Sequence, residues 1–201
     1  MTGRGEVMRI LLNGCHKNDV EFTDTRISFP EWPTVKPTLP LGQVPVLSID
    51  GSTVTQSSSL YRYCAKLVDL YPSDPFQALV VDETIDVLNE ILAKQQQQGS
   101  ETDEEYKMKR HEFRDTIMKQ GFSLIESRIE QYGCADTTTT NTTVCGVPSV
   151  ADVFIMTFVD ALHTNILDHI DGTILTDFPH FVKVADTARK LPIVVSYNDK
   201  K

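Results

Sequence analysis

Two short stretches carry residue types suited to holding a small, anionic, peptide-like molecule. Gln56-Ser57 sets a carboxamide and a hydroxyl just before an apolar-periodic run, Leu60, Cys64, Leu67 and Val68. A helix opening there presents free backbone N–H groups at the positive end of its dipole, a ready place for a carboxylate or phosphate. The plainer reading makes Ser57 only the helix N-cap, and at this level both stand. Gln43-Val44-Pro45-Val46 is the second stretch. A proline opening a strand either sits at a sheet edge or turns through a cis bond, and the turn leaves backbone groups of Val44 able to pair with an extended ligand.

The elements around these residues follow from local pattern. Residues 44–56 read as two β-rich runs joined by Asp50-Gly51, the dipeptide that favours a two-residue hairpin turn. Ahead of them, residues 5–12 place Met8, Leu11 and Leu12 on one helical face that stops at Gly14, and residues 20–27 alternate as a strand. Pro30, Pro33, Pro37 and Pro40 then allow no more than a helical turn, because each ring removes a backbone donor.

Past a linker at residues 71–75 the period becomes helical. Ser73 or Asp74 caps a helix with Pro75 in its first turn, and Leu79/Val80, Val87/Leu88 and Ile91/Leu92 form its buried stripe. Residues 95–105 are polar and Gly-broken, hence a solvated loop. Met118, Phe122, Ile125, Ile129 and Tyr132 mark a second long helix ending at Gly133, and residues 137–143 read as an unmodified low-complexity loop. Ser149-Val150-Ala151-Asp152 has a capping-box spacing in front of a run apolar on nearly every side, so a central buried helix is expected. A last amphipathic helix is expected over residues 178–190. These periods predict an α/β region over 1–70 and an all-helical region over 76–201.

Composition sets outer limits. The chain has 201 residues, with 19 Lys+Arg against 28 Asp+Glu and a net charge of −9, which argues against nucleic acid as a partner. A chain of this size hides roughly 70% of its unfolded surface. The longest apolar run, residues 150–159, is broken by Asp152 and is too short to span a bilayer, and the first residues lack a secretory pattern, so a cytoplasmic, non-membrane protein is expected. Cys15, Cys64, Cys134 and Cys145 show no C-x-x-C pairing and read as reduced thiols. The five histidines show no ligand spacing, and no metal site is expected.

Taken together, the motifs resemble those of the cytosolic glutathione transferases over nearly the whole chain. Arg4-Gly5-Glu6 is similar to G-R-A-E, residues 32–36 to W-P-x-x-K, residues 41–47 to F-G-Q-V-P-V-L and Thr55-Gln56-Ser57 to T-Q-S. Residues 149–152 resemble S-x-A-D, and residues 191–194 resemble I-P-x-V. The W-P-x-x-K and Q-V-P stretches most resemble the sigma class, which includes transferases, prostaglandin D isomerases and lens crystallins.

The resemblance implies a thioredoxin-like N-terminal domain, a helical C-terminal domain forming an electrophile pocket, glutathione as co-substrate and a homodimer. It assigns Gln56 and Ser57 to the γ-glutamyl end, Val44 beside a cis Pro45 to the cysteinyl backbone, and Trp32, Lys36 and Gln43 to the glycyl end. Arg4 would lie near the thiol, and Asp86 would reach the γ-glutamyl amine bound by the neighbouring subunit. Read from the sequence alone, Asp82 and Asp86 are equally a solvated acidic face, Trp32 loop packing and Lys36 a solvated charge.

In the sigma class the first strand ends in a tyrosine whose hydroxyl donates to the glutathione sulfur; aligned on Arg4-Gly5-Glu6, that tyrosine falls upstream of Met1, so no catalytic residue is assigned. A hydrogen bond to a charged sulfur is worth roughly 1.5–3 kcal/mol, so its loss would cost on the order of tenfold to a hundredfold in rate. The expectation is conjugation of glutathione to small apolar electrophiles, by a chain that either begins downstream of its natural start or is a non-catalytic relative. An isomerase using glutathione is the further alternative.

Overall fold

The computed structural model describes residues 3–15, 21–95, 97–133, 142–164 and 166–200. Helix α1 (Glu6–Gly14) buries Val7, Met8, Ile10, Leu11 and Leu12. Its last residue lacks a side chain, and Ile193 packs into that space. Short α2 (Trp32–Val35) and a 3-10 turn (Lys36–Thr38) occupy the proline-rich stretch.

Strands β1 (Leu47–Ile49) and β2 (Ser52–Val54) then pair antiparallel, with Ile49 opposite Ser52. Asp50 and Gly51 both adopt positive φ, +48° and +80°, the geometry the two-residue turn requires. Helix α3 (Ser57–Lys66) follows and buries Leu60, Tyr61, Cys64 and Ala65.

The remaining helices build the larger core. Helix α4 (Pro75–Ala93) starts on Asp74, whose Oδ1 accepts from the N–H groups of Phe76 and Gln77. Val80, Ile85, Leu88 and Ile91 line its buried face, but Leu79, expected there, is 62% exposed because Val81 and Thr84 complete the stripe on its other side. Helices α5 (Asp103–Phe113) and α6 (Lys119–Arg128) run on through wider π turns at residues 114–118 and 129–133. Helix α7 (Val150–His163) lies at the centre, packed against α1, α3, α4 and α8 (Pro179–Arg189), and α9 (Pro192–Asn198) returns to α1.

Two expectations need correction. Residues 21–28 form no strand, since the only ladder among the described residues is β1 with β2 and an alternating segment without a paired neighbour has no hydrogen bonds to make. That segment is tied down instead by Asp24, which bridges Arg9 and Arg26, and by Phe22 against the core; residue 20 lies outside the described set. The polar loop expected over 95–105 ends early. Thr102 caps α5, with its hydroxyl on the N–H of Glu105 and the Glu105 carboxylate reaching back, and this T-x-x-E box was legible in the sequence.

The box expected at Ser149 forms in full. Asp152 accepts from the N–H and hydroxyl of Ser149 and from the N–H of Val144, at 2.6, 2.9 and 2.7 Å. Complete burial pushes its carboxyl up to about 7, while those donors pull it back. The loop expected at 137–143 and Cys134 fall outside the described residues, apart from Thr142 and Thr143, which are buried.

Candidate functional site

The hairpin brings the two sequence stretches together. Leu47 pairs with Val54, so continuing the register by two residues sets Pro45 opposite Gln56, at the point where the chain leaves β2 and enters α3. The Val44–Pro45 bond is cis. Val44 is 50% exposed, and its N–H and C=O have no partner among the described residues. Such a segment offers the main-chain pairing that an extended peptide would use as an added strand.

The start of α3 is open. Gln56 occupies the N-cap position at φ +72°, ψ 107°, and its side chain makes no capping bond. Ser57 is therefore the first helical residue and not the cap, which sets aside the plainer reading of its hydroxyl. A non-glycine residue at such a φ costs of order 1–3 kcal/mol, and strain of this kind is retained where the geometry serves a site. The first intrahelical bond runs from Leu60 N–H to the Gln56 carbonyl, which leaves the N–H groups of Ser57, Ser58 and Ser59 without an acceptor among the described residues. Three aligned donors at a positive helix end attract a carboxylate.

Side chains from other elements fix this mouth. Asn89 on α4 donates to the Ser58 hydroxyl at 3.0 Å and accepts from the Ser57 hydroxyl at 3.4 Å. Sequence reading missed Asn89. The available signal was a carboxamide set one turn beyond Ile85 and beside Leu88 on an otherwise apolar face. Tyr61, one turn into α3, is fully buried and donates its hydroxyl to the Arg4 carbonyl at 2.5 Å, so the chain leading into α1 is held against α3. Burial drives the Tyr61 phenol well above its ordinary range, and an exposed thiol cannot be served by it.

The other sequence candidates lie around this centre. Trp32 and Lys36 stand one turn apart on the α2 segment, Trp32 half-buried and Lys36 exposed. Gly42 adopts φ +57°, and the Lys36 stem passes 3.4 Å from where its Cβ would be, so Lys36 lies beside exposed Gln43. Asp86, with Asp82, holds Arg62 of the same chain, at 3.2 and 2.6 Å, and lies one turn before Asn89, the α4 residue against Ser57 and Ser58. No described contact ties Trp32 or Lys36 to Gln56.

Elsewhere, Glu126, Glu130 and His180 gather their ligand atoms within 4.8 Å of one another. Glu126 is already committed, accepting from the N–H groups of His180 and Phe181 at the start of α8, which accounts for the group structurally. Burial raises the thiols of Cys15, Cys64 and Cys145, the last two to about 12 and about 11, so none of the three is poised as a nucleophile.

No family model matches the chain. A glutathione S-transferase of Anopheles gambiae is 31% identical over 169 residues, covering 82% of this chain and 79% of that protein. The chain belongs to the glutathione S-transferase family. Glutathione S-transferase S1 of Drosophila melanogaster is 40% identical over 90 residues, 45% of this chain and 36% of that one, and the hematopoietic prostaglandin D synthase of Rattus norvegicus is 31% identical over 126 residues, 63% and 60%. Thus the match spans under two thirds of the length of these two relatives.

Among solved structures, prostaglandin synthase D of Nilaparvata lugens superposes with a TM-score of 0.80 at 28% identity, covering 100% of this chain and 94% of that one. The glutathione transferase fold is therefore present, a thioredoxin-like N-terminal part followed by a helical part, consistent with the small β1–β2 sheet and the many helices. No helix among the described residues is long and apolar enough to cross a membrane.

Proposed function

We propose that this member of the family binds glutathione across the Val44–Pro45 segment and the mouth of α3, and transfers its thiolate to small apolar electrophiles. The observation carrying the reading is the uncapped α3 N-terminus, facing a segment with unused main-chain groups across a hairpin of fixed register. The γ-glutamyl end takes the N–H groups of Ser57 to Ser59, the Ser57 hydroxyl and the Gln56 carboxamide. The cysteinyl residue pairs with the N–H and C=O of Val44 in the manner of an added strand. The glycyl carboxylate meets Lys36, Gln43 and Trp32, where the sole cation of the group is the Lys36 ammonium.

This arrangement positions the thiol and holds both ends of the tripeptide, which supplies orientation to the transfer. Arg4, exposed at the edge of α1, contributes positive charge toward the sulfur, while Tyr61 is committed to the Arg4 carbonyl. Conjugation of a model aryl halide by protein retained on a glutathione column tests the proposal; no retention refutes it.

Two finer statements accompany it. Tyr63, Phe76 and Leu79, at 43%, 51% and 62% exposed on α3 and α4, supply apolar surface for a homodimer in which Asp86 approaches the partner's ligand; sedimentation at micromolar concentration checks this. A cytoplasmic detoxifying enzyme of the sigma class is the corresponding biological setting. A second reading, a glutathione-dependent isomerase, draws on the likeness to the two prostaglandin D synthases. A prostaglandin endoperoxide assay separates it from conjugation. Retention on glutathione with neither activity would favour a non-catalytic binding protein.

A further inference from the structure

We propose that Tyr61 is a positioning residue for the transfer: its hydroxyl joins Ser57, at the γ-glutamyl end, to Arg4, at the thiol end, and so fixes the Arg4 charge beside the sulfur. The inference rests on the glutathione site proposed above, and its test separates the two.

Tyr61 is a large side chain with no exposure at all. Its ring meets Phe154 of α7 edge-on at 5.2 Å, so the hydroxyl is aimed by the packed core. Burying a hydroxyl without a partner is unfavourable, and here it donates to the Arg4 carbonyl. Among the described residues that is the one hydrogen bond to the main-chain oxygen of Arg4. Neither Gly3 nor Gly5 brings a side chain to hold the segment. The turn closed by the Glu6 N–H on the Gly3 carbonyl, at 2.9 Å, shapes the chain without tying it to another element. Tyr61 therefore sets where the Arg4 side chain begins.

The same phenol oxygen meets Ser57, one turn earlier on the same face of α3. Its own proton is spent on Arg4, so toward Ser57 it accepts. The Ser57 hydroxyl is shared between this oxygen and the Asn89 carboxamide oxygen at 3.4 Å. The positive charge of Arg4 acts on the phenol as well, which puts the guanidinium on the Tyr61 side of the chain. A contact made at Ser57 and a charge held at Arg4 are thus joined through one side chain.

This junction bears on the chemistry of the sulfur. A free thiol with a pKa of about 8.5 is mostly protonated at pH 7. A positive charge within about 4–6 Å favours the thiolate, and the benefit falls as that distance grows. Arg4 is exposed and carries its charge on a long rotatable stem, so its effect on the sulfur depends on a fixed origin.

The test is titration of the bound thiol, followed by the ultraviolet absorbance of its thiolate in complexes of the full chain with glutathione. In Tyr61→Phe the midpoint is expected to rise by about half a pH unit or more, and in Arg4→Met by at least as much. Combining the two substitutions is expected to add nothing beyond Arg4→Met, because both act through one guanidinium. A hydroxyl that only stiffened the fold would lower affinity and leave the midpoint in place. An unmoved midpoint in Tyr61→Phe or in Arg4→Met, or a Tyr61→Phe shift that persists in full on Arg4→Met, overturns the inference while the binding site stands. A wild-type chain that binds no glutathione overturns both.

Discussion

The buried hydroxyl of Tyr61 donates to the main-chain oxygen of Arg4 across 2.5 Å, joining the second turn of α3 to the chain two residues before α1. One bond thus couples the N-terminal approach to the helix mouth. Tyr61→Phe leaves the Arg4 carbonyl without that donor, and a loss of about 1 kcal/mol in stability is expected. Chemical denaturation measures this, and glutathione affinity is expected to fall two- to fivefold in the same variant, because Arg4 is no longer fixed.

Ser57→Ala and Thr102→Ala distinguish a binding serine from a capping threonine. Ser57 makes no cap bond, but its hydroxyl donates to Asn89, so its removal is expected to cost up to about 1 kcal/mol in stability while weakening glutathione about tenfold. Thr102 does cap α5, and its removal is expected to cost about 1 kcal/mol with no change in glutathione affinity. Urea midpoints together with calorimetric affinities give both numbers for both variants.

Asp152 carries the largest structural load expected of a single carboxylate in this chain. Asp152→Ala strands the buried N–H groups of Val144 and Ser149, and a loss of about 3 kcal/mol or more follows. Asp152→Asn keeps an acceptor oxygen and is expected to recover part of it. Thermal unfolding of the two variants orders them.

Burial holds the thiols of Cys64 and Cys145 at about 12 and about 11, so both stay protonated as the pH rises through 8. Since the thiolate is the reactive form, iodoacetamide at pH 8 is expected to leave Cys15, Cys64 and Cys145 unmodified in the native protein and to label all three in urea. Peptide mass mapping reads the outcome site by site.

Much of this fold was legible in local pattern, for physical reasons that differ by element. The Asp50-Gly51 turn and the Ser149–Asp152 box are set by bonds within four residues, and short-range chemistry is what a sequence displays. Residues 20–27 read as a strand because alternation records only a preference, whereas a strand also needs a neighbour, and that is a tertiary fact. Leu79 was assigned to the core from its period, yet which edge of a wide apolar stripe meets the next helix depends on how α4 and α6 pack. Around the candidate site, Gln56, Ser57 and Val44 stood out by motif, while Asn89 did not. It acts through a contact 31 residues away in the chain.

The central claim is that the mouth of α3 grips a carboxylate at the γ-glutamyl end of glutathione. Calorimetric titration with glutathione and with cysteinylglycine, which lacks the γ-glutamyl residue, tests it most directly. Glutathione is expected to bind at least tenfold more tightly, and Ser57→Ala to narrow that gap. Equal affinity for the two thiols, or no affinity for glutathione, would contradict the account.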